Sequence, residues 1–210
     1  MPTTTYLASL IAATLLTAAQ FAGGHSQSTI WTFDRDTVGE IARGFKGEVG
    51  QWRVVMADGR KVLAQQAKIT DKVFNVALVT GTHAKDVDLS VKLRAVAGEL
   101  DRGGGLIWRA KDKHNYYIAR YNPLEDNYRV YKVKAGKRTM FKNADIPQTP
   151  GWHQLRVTMR GDHIECFYDG KKYLDCNDST FPEAGMIGLW SKADAQSYFD
   201  DLTLGERRAE

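Results

Sequence analysis

The stretch HQLRVTMRGDHIECFYDG, residues 153–170, decides the fold. In its first half Leu155, Val157 and Met159 alternate with Gln154, Arg156 and Thr158, the two-residue period of a strand with one face buried and the other wet. Gly161-Asp162 breaks the run and HIECFY follows as a second strand. Asp169-Gly170 then supplies the residue types a tight hairpin requires. A helix would instead repeat its apolar residues at three and four, and no such stripe longer than two turns occurs in the chain beyond residue 29.

The same grammar extends outward in both directions. Short runs begin at Ile30, Gln51, Lys61, Phe74, Asp86, Gly105, Asn115, Asn127, Arg138, His153, His163, Met186 and Ser197. Turn pairs such as Asp58-Gly59 and Ala135-Gly136 separate several of them. In DLSVKLRAV, Leu89, Val91, Leu93 and Ala95 alternate with Ser90, Lys92 and Arg94. Short strands without crossover helices pair antiparallel, and two packed sheets are the usual way to bury one face of each. The expected class is therefore all-β, a two-sheet antiparallel sandwich.

No Asp, Glu, Lys or Arg precedes Asp34, and YLASLIAATLLTAA (6–19) is an apolar run ending in small residues. This pattern reads as a secretory signal peptide over 1–19, cut after Ala19, because the run is shorter than the roughly 20 apolar residues of a membrane span. The expected organisation is a leader at 20–29, one sandwich domain at 30–205 and a charged tail at 206–210, in a secreted or periplasmic protein with no membrane span after cleavage. A content of 43% apolar and 26% charged residues excludes a disordered chain.

The net charge of +4 is unevenly spread: residues 103–142 hold ten Lys or Arg against three Asp or Glu. A basic face of this kind attracts anions. Nucleic acid is a poor match for an exported chain, and the glycines 103–105 lead into a strand, so they make no phosphate cradle at a helix start. The two cysteines, Cys166 and Cys176, flank the Asp169-Gly170 turn. A longer loop would set them opposite each other as a disulfide, whereas a two-residue turn would misalign them. The histidines lack metal-ligand spacing, so zinc has no support.

The order GGLIWRAKDKHNYYIARYN (104–122), GWHQLRV, the Asp-Gly hairpin, AGMIGLW and SYFDDLTL resembles the concanavalin A-like lectin and glucanase superfamily. Within it the chain looks most like laminin-G-like domains and bacterial secreted domains of the 3-keto-disaccharide hydrolase type. That resemblance implies a jelly-roll sandwich whose concave sheet binds a saccharide, and for some members glycoside hydrolysis or lysis. It also implies a structural calcium where the last strand meets the first, for which Asp200 with Asp34 or Asp36 would offer oxygen ligands. The glucanase motif Glu-x-Asp-x-x-Glu is not met, since Glu99-Leu100-Asp101 is followed by Gly104 in place of the second glutamate.

The stretch NYYIARYNPLEDNYRVYK (115–132) reads as two strands joined by a turn. Arg109, Arg120 and Tyr131 are expected on the concave sheet with an exposed Trp190, a surface where a ring stacks on a sugar's C–H face and Arg addresses its hydroxyls. His114 and Asp194 complete the candidate ligand-binding set, with Asp112, Glu125 and Asp126 as nearby carboxylates; no catalytic pair is assigned. Against this stands the reading that Arg and Tyr stack on each other for stability alone. The functional expectation is a saccharide-binding, lectin-like domain. A hydrolase acting on keto-glycosides and an adhesive protein-binding module are the alternatives.

Overall fold

A computed structural model describes Met1 and residues 27–69 and 73–206. The signal-peptide reading and most of the leader and tail fall outside these residues. The strands are β1 (Gln27–Trp31), β2 (Phe45–Val49), β3 (Trp52–Ala57), β4 (Arg60–Gln65), β5 (Phe74–Val79), β6 (Val87–Ala97), β7 (Gly104–Asp112) and β8 (Asn115–Asn122). They continue as β9 (Asn127–Lys134), β10 (Lys137–Asp145), β11 (His153–Arg160), β12 (His163–Tyr168), β13 (Lys171–Asn177), β14 (Met186–Lys192) and β15 (Gln196–Glu206). No helix among the described residues is long and apolar enough to cross a membrane.

The strands form two antiparallel sheets. The first runs β13-β12-β11-β6-β15-β4-β3 with β1 also on β15; the second runs β10-β9-β8-β7-β14-β5-β2. This is the jelly-roll sandwich. The alternation read from the sequence places Leu89, Val91, Leu93, Leu155, Val157 and Met159 in the core between the sheets, with Trp108, Tyr117 and Leu189 opposite them. Trp108 joins the layers: its Nε1–H points at Met159 Sδ at 3.0 Å and its ring stacks on Tyr117 at 5.5 Å. Truncating a side chain this buried costs about 3–5 kcal/mol.

Two strands escape the sequence pattern, β2 and β13, and both end a sheet. An edge strand needs few apolar residues, and FKGEV and KKYLDCN carry mostly polar ones. The Asp169-Gly170 turn has two residues, with Tyr168 paired to Lys171. Cys176 therefore stands opposite Ile164, and Cys166 opposite Leu174. Both thiols are free, which corrects the disulfide expectation.

The second sheet also carries a separate apolar layer on its outward face. Val76, Leu78, Ile107, Tyr116, Ile118, Tyr131, Val133 and Trp190 are buried there, with Phe74 and Met186 packed against them. The glycines at 103–105 serve close packing: a Cβ on Gly105 would stand 2.0 Å from the Ala119 carbonyl oxygen. The backbone of β7 must lie this close to β8 for the sheet to form at that point.

Candidate functional site

The turn between β8 and β9, residues 122–127, and the loop before β7, residues 98–103, meet at one end of the outward face of the second sheet. Strand alternation turns Arg120 to the same side as Ile118 and Tyr131, and the β8–β9 register sets Ile118 opposite Tyr131. Arg120 Nη1 donates to Tyr131 Oη at 3.3 Å. Its Nη2 stands 3.3 Å from Glu125 Oε1 and 3.7 Å from Asp101 Oδ1. The guanidinium is 1% exposed, yet its Nε and Nη2 lack an aligned hydrogen-bond acceptor.

Both carboxylates are held by further partners. Asp101, also 1% exposed, accepts from Asn122 Nδ2 at 3.1 Å and Lys192 Nζ at 2.8 Å. Glu125 Oε2 accepts from Arg129 Nη1 at 2.6 Å and Asn127 Nδ2 at 3.1 Å. Burial alone would raise the Glu125 carboxyl, but the hydrogen bond from Asn127 and the charges of Arg120 and Arg129 outweigh it and hold Glu125 below its ordinary value. Glu125 is thus an ionised acceptor at neutral pH.

Beside this polar cluster lies an aromatic floor. The Arg138 guanidinium sits 4.4 Å from the Tyr131 ring centroid, 5.3 Å from Phe74 and 5.6 Å from Trp190. Trp190 Nε1 donates to Tyr116 Oη at 3.1 Å, which fixes the indole. Burial, with the neighbouring charge of Arg120 also acting against protonation, lowers the pKa of Arg138 from the ordinary arginine value. The arrangement offers N–H donors, carboxylate acceptors and ring faces within one patch.

Arg120, Tyr131 and Trp190 are therefore brought together, with Arg138 as their common neighbour. Trp190 is buried, not exposed, because the outward face has its own apolar layer. Arg109 is elsewhere. A β-bulge between Trp108 and Asp112 gives it a φ of 47° and turns it out of the row begun by Ile107. Its guanidinium donates to the carbonyls of Lys85 at 2.6 Å, Phe181 at 2.9 Å and Gly161 at 2.6 Å, and so ties three loops together.

His114 lies in the β7–β8 turn, where its N–H donates to Asp112 Oδ1 at 2.7 Å and its carbonyl accepts from Gly136. It is exposed and away from the cluster. Asp194 acts indirectly: its carboxylate accepts the backbone N–H groups of Glu99, Leu100 and Asp101, at 2.7 Å, 3.2 Å and 3.0 Å, and so shapes the loop that presents Asp101.

Asp200 does not fit a calcium site. Its Oδ2 faces Arg60 Nη2 at 3.0 Å and its Oδ1 accepts the Asp201 N–H at 2.8 Å, so a guanidinium stands where the cation would be. Asp36 is paired instead with Arg43 at 2.9 Å. Among the described residues, His163, Glu165 and Asp175 form a metal-compatible cluster, but the Lys172 ammonium already bridges its carboxylates at 2.9 Å and 2.8 Å.

Sequence reasoning missed Arg138 and the role of Asp101. Arg138 faces the floor because it pairs with Val133, a register that the strand sequence does not specify. Asp101 is marked in the sequence only as part of an incomplete glucanase motif. Its burial depends on Asn122 and Lys192, which are distant in the chain.

A family model for the 3-keto-alpha-glucoside-1,2-lyase-like domain matches residues 30–205. The chain belongs to that family. The lyase-like domain has a sugar-related function. Its fold is shared by the carbohydrate binding module CBM66 from Bacillus subtilis, at a TM-score of 0.67 and 21% identity over 78% of this chain and 96% of that one. It is also shared by the Bacillus licheniformis β-glucanase, at 0.59 and 12% identity over 87% and 100%. The GH43 protein BlXynB from Bacillus licheniformis aligns at 0.60 and 15% identity over 84% of this chain and 39% of its own. No curated protein matches the chain in sequence.

Proposed function

We propose that the domain binds a saccharide at the Arg120 cluster, on the outward face of the second sheet. The observation that carries this reading is Arg120 itself: a buried guanidinium whose Nε has no acceptor and whose Nη2 makes only poorly aligned ion pairs, beside an ionised Glu125 and the Tyr131 ring. A buried donor left without an acceptor costs on the order of 1–3 kcal/mol, so the site gains by receiving a hydroxyl or carbonyl oxygen. A sugar supplies that oxygen, donates hydroxyls to Glu125 and Asp101, and lays its apolar face on the rings when the Arg138 side chain swings aside. The binding named for the CBM66 module and the sugar chemistry named for the family support the ligand class. The apolar segment at 6–19 supports export as the route by which the domain meets glycans.

The test is a glycan array probed with wild type, Arg120→Lys and Tyr131→Phe. Binding by wild type that falls in both variants is expected; wild type that binds no glycan, or variants that bind as well, would end the proposal.

One observation favours a second reading, the elimination of 3-keto-glycosides. Asp101 and Glu125 both approach Arg120 Nη2, which places their nearest oxygens at most about 7 Å apart, within the span of carboxylates that flank a glycosidic bond. An ionised carboxylate such as Glu125 would take the proton at C2, made acidic by the 3-keto group. The electron pair would pass to the keto oxygen as an enolate facing Arg120. Its return would form the C1–C2 double bond and expel the C1 oxygen substituent, which takes up a proton. Release of the C1 alcohol from a 3-keto-glucoside by wild type and not by Glu125→Gln would favour this reading; no release by wild type rules it out.

A further inference from the structure

We infer that the outward face of the first sheet holds a second saccharide subsite, sized for a single ring and independent of the Arg120 cluster. A recess of about 170 Å³ is lined by Ala57, Asp58, Arg60, Val62, Lys92, Trp152 and Asp200. Strand register assembles it: Lys92 of β6 stands opposite Asp200 of β15, and Ala57 of β3 opposite Arg60 of β4. The recess therefore spans four adjacent strands.

Its chemistry selects among ligands. Trp152 supplies an aromatic wall whose Nε1–H is anchored on Asp58 Oδ2 at 3.2 Å. The Arg94 guanidinium sits 5.4 Å from that indole and 5.2 Å from the Tyr198 ring, so the wall has a fixed position. Around it the carboxylates of Asp58, Asp200 and Asp201 are matched by Arg60, Lys92 and Arg94, with Arg60 to Asp200 at 3.0 Å and Lys92 to Asp201 at 2.7 Å. An anion would face three carboxylates and a cation three bases. A wholly apolar ligand would desolvate all six without pairing them.

A neutral ring with hydroxyls on its rim and a C–H face suits the Trp152 wall and the paired charges of Asp58, Arg60, Lys92 and Asp200 that line the recess. The recess is smaller than the about 300–1,000 Å³ of pockets for larger ligands, so it takes one ring, such as the end of a glycan chain. Asp200 is 2% exposed, and burial raises its carboxyl above the ordinary aspartate value. The two sites lie on opposite outer faces of a sandwich whose sheets pack about 10 Å apart. A domain with both can hold two sugar chains at once and link them.

The experiment titrates 15N-labelled protein with methyl α-D-glucoside, methyl β-D-galactoside and D-fructose, following the Trp152 indole N–H among the five tryptophans. A saturable shift of that resonance with at least one sugar is expected, retained in Arg120→Lys and weakened at least tenfold in the surface variants Asp58→Asn and Arg60→Gln. Failure of all three sugars to move the Trp152 resonance overturns the subsite, as does a shift that both surface variants leave unchanged. Loss of the shift in Arg120→Lys alone also overturns it, since the two sites would then not be independent. The Arg120 site is read separately, as the share of array binding lost in Arg120→Lys and Tyr131→Phe, so either site can fail while the other stands.

Discussion

Arg138 lies 4.4 Å above the ring of Tyr131, on a neighbouring strand, and the same guanidinium reaches Phe74 and Trp190. One long side chain thus covers three aromatic rings on the outward face of the second sheet. A cation over rings in a half-desolvated setting contributes about 0.5–2 kcal/mol. It also keeps an apolar surface from open solvent.

Removing that cover has two expected effects. Arg138→Ala lowers stability by about 1 kcal/mol in urea unfolding, and it exposes the floor, read as increased fluorescence of a bound hydrophobic dye. Arg138→Lys keeps the charge and shows a smaller dye response.

Arg120 is expected to separate charge from geometry. Arg120→Met leaves Asp101 and Glu125 without a shared cation and costs about 3 kcal/mol, measured by chemical denaturation. Arg120→Lys retains most stability but loses the planar fork, so its deficit appears in saccharide binding.

Asp178 should set part of the acid limit of the fold. Burial alone would raise its pKa, yet hydrogen bonds from Lys132, Thr180 and Tyr117 outweigh it and bring the pKa down to about 2 from 3.8. Because the folded value is depressed, this stabilisation is present above about pH 4 and is lost as pH falls toward 2. Asp178→Asn is expected to cost on the order of 1–2 kcal/mol at neutral pH and to flatten the stability profile in that window. An unchanged acid profile in the variant would count against the assignment.

The cysteines should behave as unequal thiols. Cys166 is fully buried and burial raises its pKa well above the ordinary thiol value, while Cys176 is partly exposed. A maleimide is expected to label Cys176 first in native protein and both residues only after unfolding, and a reductant should leave the unfolding midpoint unchanged. Mass loss consistent with a disulfide before reduction would refute the free-thiol assignment.

What the sequence determined is the part of the structure written in local periodicity. Leu155, Val157 and Met159 face the core because a strand alternates with period two, and the Gly-Asp and Asp-Gly pairs turn the chain because few other residues adopt those angles. Alternation within each strand left open which row of β8 and β9 faces the core, and the register between those strands is what sets Arg120 and Tyr131 on one face. Alternation failed at Arg109, where one bulged residue reversed the parity, and at Trp190, whose exposure depends on a second apolar layer outside the sandwich core.

Only the tertiary structure decided which charges meet. Asp101 reaches Arg120 because Asn122 and Lys192, from two other elements, fold against it, and Arg138 covers Tyr131 through the pairing of β9 with β10. Strand pairing is a contact between distant segments, and the alternation within either segment is the same whichever neighbour it finds. The face of each residue is local, but its company is not.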